Sequence, residues 1–134
     1  MRDMHNNISI LHAITPAAVG TTGIAGGKIS GVLDRRGFES VEFIYSSSTS
    51  LSAADTITPV VYECATSGGT FTSVATADLL GTEAALTLTA AKSGRVGYNG
   101  NLRYLKIRLY GTGTATAVVA ATAILGTPAI RAQS

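Results

Sequence analysis

The chain is short of the residues that enzymes and small stapled scaffolds rely on. It has one cysteine, Cys64, two histidines, His5 and His12, no tryptophan and, after Glu83, no acidic residue. A single cysteine excludes an intrachain disulfide. A thiol nucleophile needs an activating base, and both histidines stand near the N-terminus, far from Cys64 in sequence. Cys64 therefore reads as a small hydrophobe on a strand face. A metal centre needs three or four converging ligands. His5 and His12, with Asp3 the only acid near them, do not supply it, so no metal and no cofactor is expected.

Charge is also scarce. Charged residues make up 13% of the 134 residues, about half the share of an ordinary soluble domain. Ser, Thr, Gly and Ala fill the gap. Few charges suit a surface covered by other protein better than that of a lone monomer, which charge keeps apart from its copies.

No long hydrophobic helix is present. The uncharged run at 109–130, LYGTGTATAVVAATAILGTPAI, carries three glycines, a proline and many threonines. That is too polar for a transmembrane helix, and no membrane partner is expected. The start, MRDMHNNISI, has charges of both signs and no apolar leader core. GTTGIAGGK at 20–28 superficially suggests a phosphate loop. That pattern needs a glycine where Thr22 stands and Ser or Thr where Ile29 stands, so the segment reads as a plain glycine-rich loop.

Strand signals dominate what is there. Val41, Phe43 and Tyr45 alternate with Glu42 and Ile44, and SSSTS follows as a loop. TPVVYECA from Thr58 puts Val61, Glu63 and Ala65 on one face, and Val60, Tyr62 and Cys64 on the other. GTFTSVA reads as a strand after the turn SGG at 67–69. ALTLTA at 85–90 sets Leu86 and Leu88 against Thr87 and Thr89. TATAVVAATAIL at 114–125 reads as a long strand. Asp78 could open a short helical turn that Gly81 closes. Asn99-Gly100 within YNGN is a hairpin signal. No segment holds a 3.6-residue apolar period beyond two turns.

Short strands between Gly/Ser/Asp turns predict an all-β domain, a single antiparallel β-sandwich of jelly-roll-like type. Residues 1–30 read as an extended N-terminal arm with a first strand at 8–14. Residues 31–134 read as the sandwich with a short C-terminal tail. Pro16, Gly20, Gly23, Gly26 and Gly27 interrupt the arm, which suits a segment that orders on a neighbouring subunit.

Charge is unevenly distributed along the chain. Residues 84–134 carry six basic and no acidic residues, whereas 1–83 carry four basic and eight acidic. The cleanest strand, RYLKIRLY at 103–110, lies in the basic half. Leu105, Ile107 and Leu109 form its core face with Arg103; Tyr104, Lys106, Arg108 and Tyr110 form the other. That second face could stack bases and neutralise phosphates. It equally has the Tyr/Arg composition of protein interfaces, or is a solvated face paired with acids such as Glu42 or Glu63. A net charge of only +2 argues against a dedicated nucleic-acid binder. Eight scattered acids and no nucleophile motif argue against an enzyme.

Five blocks together resemble a family of small tailed-bacteriophage virion proteins: MRDMHNNI, RRGFESVEFIY at 35–45, GGTFTSVATADLLG at 68–81, RVGYNGNLRYLKIRLY at 95–110 and ILGTPAIR at 124–131. Gly97-Tyr98 and Arg103-Tyr104 are the most distinctive pieces. The resemblance implies a capsid decoration (cement) protein or another head-associated structural protein. It implies a homo-oligomer, trimer or dimer, bound outside the major capsid protein lattice of the virion, and made in the host bacterial cytoplasm. The alternatives are a connector or tail component, or a sheet-based nucleic-acid-binding module. No catalytic residue is implied. The expected partner interface comprises His5, Ile8, Ile10, Ile24, Lys28, Tyr104, Lys106, Arg108 and Tyr110.

Overall fold

Alternation of large apolar residues with polar ones along β10 (Tyr104–Thr112) drives that strand into the centre of a core: Leu105, Ile107 and Leu109 are fully buried. A computed structural model describes residues 4–19, 23–48, 55–112 and 117–128. Two antiparallel sheets pack face to face as a β-sandwich. One sheet has the order β1-β11-β4-β9-β7, built from β1 (Ile8–Ala18), β11 (Val118–Pro128), β4 (Phe38–Ser47), β9 (Lys92–Tyr98) and β7 (Leu79–Leu80). The other has β2 (Lys28–Ile29), β10, β5 (Thr56–Cys64) and β6 (Thr72–Ser73) in that order. β3 (Leu33–Asp34) also pairs with β10, and β8 (Leu86–Thr87) with β5. Short 3-10 turns occupy Gly23–Gly26 and Thr76–Asp78.

The central strand β4 buries Val41, Phe43 and Tyr45 as its alternation predicts. Its neighbours are small where it is large. Tyr45 stands in register with Ala121 on one side and Gly94 on the other, and Phe43 stands between Ala123 and Val96. A Cβ at Gly94 would lie 2.6 Å from the Tyr45 ring. Large and small side chains thus interdigitate within one sheet, as close packing requires.

Several expectations are revised. Strand β1 runs past 14 to Ala18, so much of the expected arm is an edge strand of the first sheet. Pro16 is tolerated there because an edge strand has no second ladder to serve, and the register breaks between His12 and Ile14 and between Ile14 and Ala17 accommodate it. The glycine-rich stretch folds onto the second sheet: β2 pairs with β10, and Gly27 packs so closely on Leu109 and Tyr110 that a Cβ would clash. The strands expected in GTFTSVA and ALTLTA shrink to the pairs β6 and β8. The Asn99-Gly100 turn does not close a hairpin: β9 lies in one sheet and β10 in the other, so 99–103 is a crossover between sheets. The 3-10 turn begins at Thr76 and hands over to β7 before Gly81, which adopts φ +87°. The loop SSSTS and the C-terminal tail fall partly outside the described residues.

Candidate interaction surface

Strand alternation places Tyr104, Lys106, Arg108 and Tyr110 on the outward face of β10, all half-buried. Register sets Lys106 beside Tyr62, and Arg108 between Val60 and Ile29. Among the described residues, Lys106 and Arg108 do not face acids. Lys106 Nζ sits 4.2 Å from the centre of the Phe71 ring, Arg108 Cζ 5.9 Å from Tyr62, and Arg103 Cζ 4.9 Å from Tyr104. A cation over an aromatic face is attracted by the ring quadrupole. Each base on this strip therefore shares its exposure with a ring, and Arg108 Nε is buried with no hydrogen-bond partner.

The acids expected opposite this strip are elsewhere. Glu42 lies on β4 of the other sheet, 3.8 Å from Arg95. Glu63 accepts a hydrogen bond from Tyr98 Oη at 2.5 Å. Arg103, at the start of this strip, does have an acidic partner, Asp34, through bonds of 2.8 and 2.6 Å. The Arg103 guanidinium, helped by the Arg36 backbone N–H, holds the Asp34 carboxyl below its ordinary value despite a small desolvation penalty, and Asp34 in turn raises Arg103. Among the described residues, Lys106 and Arg108 form no ion pair.

The acidic and basic halves of the sequence do not become opposite faces either. β11 is inserted between β1 and β4, β10 between β2 and β5, and β9 between β4 and β7. Interleaving converts the long-range asymmetry into local pairs such as Arg103–Asp34 and Arg95–Glu42.

The nine residues expected at an interface divide between two surfaces. Ile24, exposed in the 3-10 turn, and Lys28 on β2 lie beside β10 with Tyr104, Lys106, Arg108 and Tyr110. His5, Ile8 and Ile10 lie on or before β1, at the edge of the other sheet. Ile10 is 63% exposed, and Ile44, Val118 and Leu80 are also exposed in that sheet. His12, exposed on β1, meets Thr15 at 3.2 Å. Among the described residues no group of His, Cys, Asp and Glu is arranged to hold a metal. Among the described residues no helix is long and apolar enough to cross a membrane.

A polar cleft that the sequence reading missed lies where the loop between β3 and β4 meets the 99–103 crossover. Its volume is about 470 Å³, and Arg35 to Glu39 form one wall, Asn99 to Asn101 with Arg103 the other. Arg35 ties the walls together: Nε donates to Leu102 O at 2.7 Å, Nη2 to Gly100 O at 2.8 Å and Nη1 to Glu39 O at 2.9 Å. Its guanidinium lies 5.2 Å from the centre of the Tyr98 ring. Gly100 packs against that ring so closely that a Cβ would overlap it. The available sequence signal was the pairing of two glycine-containing blocks, RRGFE and YNGN, but nothing in sequence alone shows that they meet.

No family model and no curated protein matches the chain. Solved structures with a similar fold do. The PBSX exported protein XepA matches with a TM-score of 0.58 at 12% identity, over 94% of this chain and 39% of that one. A chain in the structure of infectious bursal disease virus Gx strain matches with a TM-score of 0.52 at 11% identity, over 88% of this chain and 31% of that one. The CBM22-1 xylan-binding domain from Paenibacillus barcinonensis Xyn10C matches with a TM-score of 0.50 at 14% identity, over 90% of this chain and 99% of that one. The chain thus spans about two-fifths or less of the first two and nearly all of the third. At these identities the likeness is one of fold, a β-sandwich.

Proposed function

We propose that this chain is a structural protein of a tailed-phage particle, a decoration (cement) protein that oligomerises and binds the outside of the major capsid protein lattice. The observation that carries the reading is the outer face of the second sheet. Tyr62, Tyr104, Tyr110, Lys106 and Arg108 line it, half-buried, and Lys106 and Arg108 have no acidic partner among the described residues. Aromatic rings with arginine, at the centre of a sheet and low in acid, match the composition of interface cores. The exposed isoleucines of the other sheet offer a second contact surface, as a protein bridging several neighbours requires.

Further support comes from the sequence blocks that resemble small virion proteins. A virus chain and a PBSX phage exported protein are also among the structures that share the fold. In this reading the protein performs no chemistry. It stabilises a shell by burying area between subunits, as a dimer or trimer on the particle exterior after synthesis in the bacterial cytoplasm.

The test is stoichiometry. Quantitative mass spectrometry of purified particles is expected to find the chain at a copy number near that of the major capsid protein, or at a fixed large fraction of it. A few copies per particle would assign it to the connector or tail instead. The same β10 face has a nucleic-acid reading, but Lys106, Arg108 and Arg103 already lie over the rings that bases would need. Salt-dependent binding of single strands by the purified chain would favour that alternative.

A further inference from the structure

The cleft between the β3–β4 loop and the 99–103 crossover contains polar side chains that the fold does not use. Arg35 is committed to three carbonyls and Arg103 to Asp34. The side chains of Arg36, Glu39, Asn99 and Asn101 are exposed and make no hydrogen bond or ion pair among the described residues. Half-buried Phe38 adds an apolar portion to the wall.

The scaffold beneath these groups is fixed. Arg35 spans both walls, Tyr98 Oη accepts from Leu102 N at 2.9 Å, and Asn99 N donates to Asp78 O at 2.8 Å. A ligand therefore meets preset loops and loses little to ordering them. The cleft's volume lies within the range of small-molecule sites.

We propose that this cleft binds a neutral, hydroxyl-rich ligand, a saccharide. The free groups mix donors and acceptors: a guanidinium, a carboxylate and two amides, which carry both. Each sugar hydroxyl also donates and accepts, so it matches such a mixture. An anion does not. Glu39 would repel it, and two of the three guanidinium groups, those of Arg35 and Arg103, already have oxygen partners, which leaves Arg36 alone to attract it. This site lies apart from the β10 strip and goes beyond the structural role proposed above.

The experiment is a backbone-amide NMR titration of the full chain with a panel of neutral pentose and hexose mono- and disaccharides, run beside inorganic phosphate and a uronic acid. Saturable shifts confined to 36–39 and 99–101, with dissociation constants in the millimolar range, are the expected result. The double variant Glu39→Ala with Asn101→Ala is expected to weaken binding at least about tenfold. Its remaining amide resonances should stay in place, because neither side chain serves the fold; Glu39→Gln, which keeps the size and loses the charge, provides a second check. No saturable shift with any neutral saccharide would overturn the proposal. So would saturation by phosphate or uronate alone, shifts centred elsewhere, or a double variant that binds as well as the parent. The readout needs no particle, so it stands or falls separately from the copy-number test.

Discussion

Tyr98 Oη donates a 2.5 Å hydrogen bond to Glu63 and accepts one of 2.9 Å from Leu102 N, so one hydroxyl joins β9 of the first sheet to β5 of the second and to the crossover. Tyr98 is fully buried. Tyr98→Phe keeps the ring but leaves a carboxylate and an amide without their partner. Such a deletion costs about 1–3 kcal/mol. Denaturant unfolding is expected to show this loss, and a smaller one for Tyr45→Phe, whose hydroxyl donates to Ala84 O at 3.1 Å. Equal losses would mean that the inter-sheet link adds nothing.

The same bond sets an alkaline limit. Burial first, and the hydrogen bond to Glu63 second, push the Tyr98 phenol up to about 12 from an ordinary 10.0. The folded state thus favours the protonated form. Its contribution is fully present below pH 10 and is lost as pH rises towards 12. Ultraviolet titration of the five tyrosines is expected to show at least one ionising only near pH 12 or with unfolding. Tyr98→Phe should remove that component and flatten the fall in stability between pH 10 and 12.

At the acidic end the sign reverses. The Arg103 guanidinium holds the Asp34 carboxyl below its ordinary 3.8. The pair favours the folded state above that value, and its contribution fades as pH falls through the lowered folded value. Both groups are well exposed, so the effect on global stability is small. The sharper readout is local: carbon-detected NMR should find Asp34 titrating below 3.8 in the parent, and moving upward in Arg103→Ala.

β9 exposes the limit of reading this fold from its sequence. KSGRVGY carries glycines at 94 and 97, which lower strand propensity, and no alternation marks it. Yet it pairs with β4 along seven residues, because Gly94 makes room for the Tyr45 ring and Gly97 for Leu80 and Glu42. β4 and β10 were legible because each buries one face by strict alternation, and β11 because its Val- and Ala-rich run reads as a long strand, although it continues past the expected 125 to Pro128. The Asn99-Gly100 turn was legible as a turn but not as a crossover, since local sequence does not say which sheet the next strand joins. Glu63 fell on the same face as Val61, which is the core side. Its reason for being there, Tyr98, is 35 residues away. The cleft residues carried no periodic signal, because loops brought together by a crossover leave none.

Gly94→Ala tests that account directly. The added Cβ would stand 2.6 Å from the Tyr45 ring in the middle of a five-stranded sheet. Overpacking of this kind costs about 1–3 kcal/mol. Gly68→Ala is the control: a Cβ there meets nothing within 4 Å, and its effect should stay within about 0.5 kcal/mol, as for ordinary surface changes. Thermal melts that shift equally for both would show that Gly94 is not shaped by Tyr45.

The last expectation concerns the β10 strip. Lys106→Glu with Arg108→Glu reverses two charges on a half-buried face without touching Leu105, Ile107 or Leu109. Losing the contacts to Phe71 and Tyr62 should cost only about 0.5–1 kcal/mol for each pair, so the variant is expected to fold with a modestly lowered melting temperature. A docking surface behaves differently. Reversing charges at the centre of an interface costs several kcal/mol through like-charge and desolvation terms, so if this strip docks on a capsid as proposed, the variant should fail to join particles when it is expressed beside the parent capsid. Ile10→Lys, on the edge strand of the other sheet and 63% exposed, separates the two surfaces. If it abolishes incorporation while the double reversal does not, the contact lies along β1, and Tyr104, Lys106, Arg108 and Tyr110 face solvent on the particle.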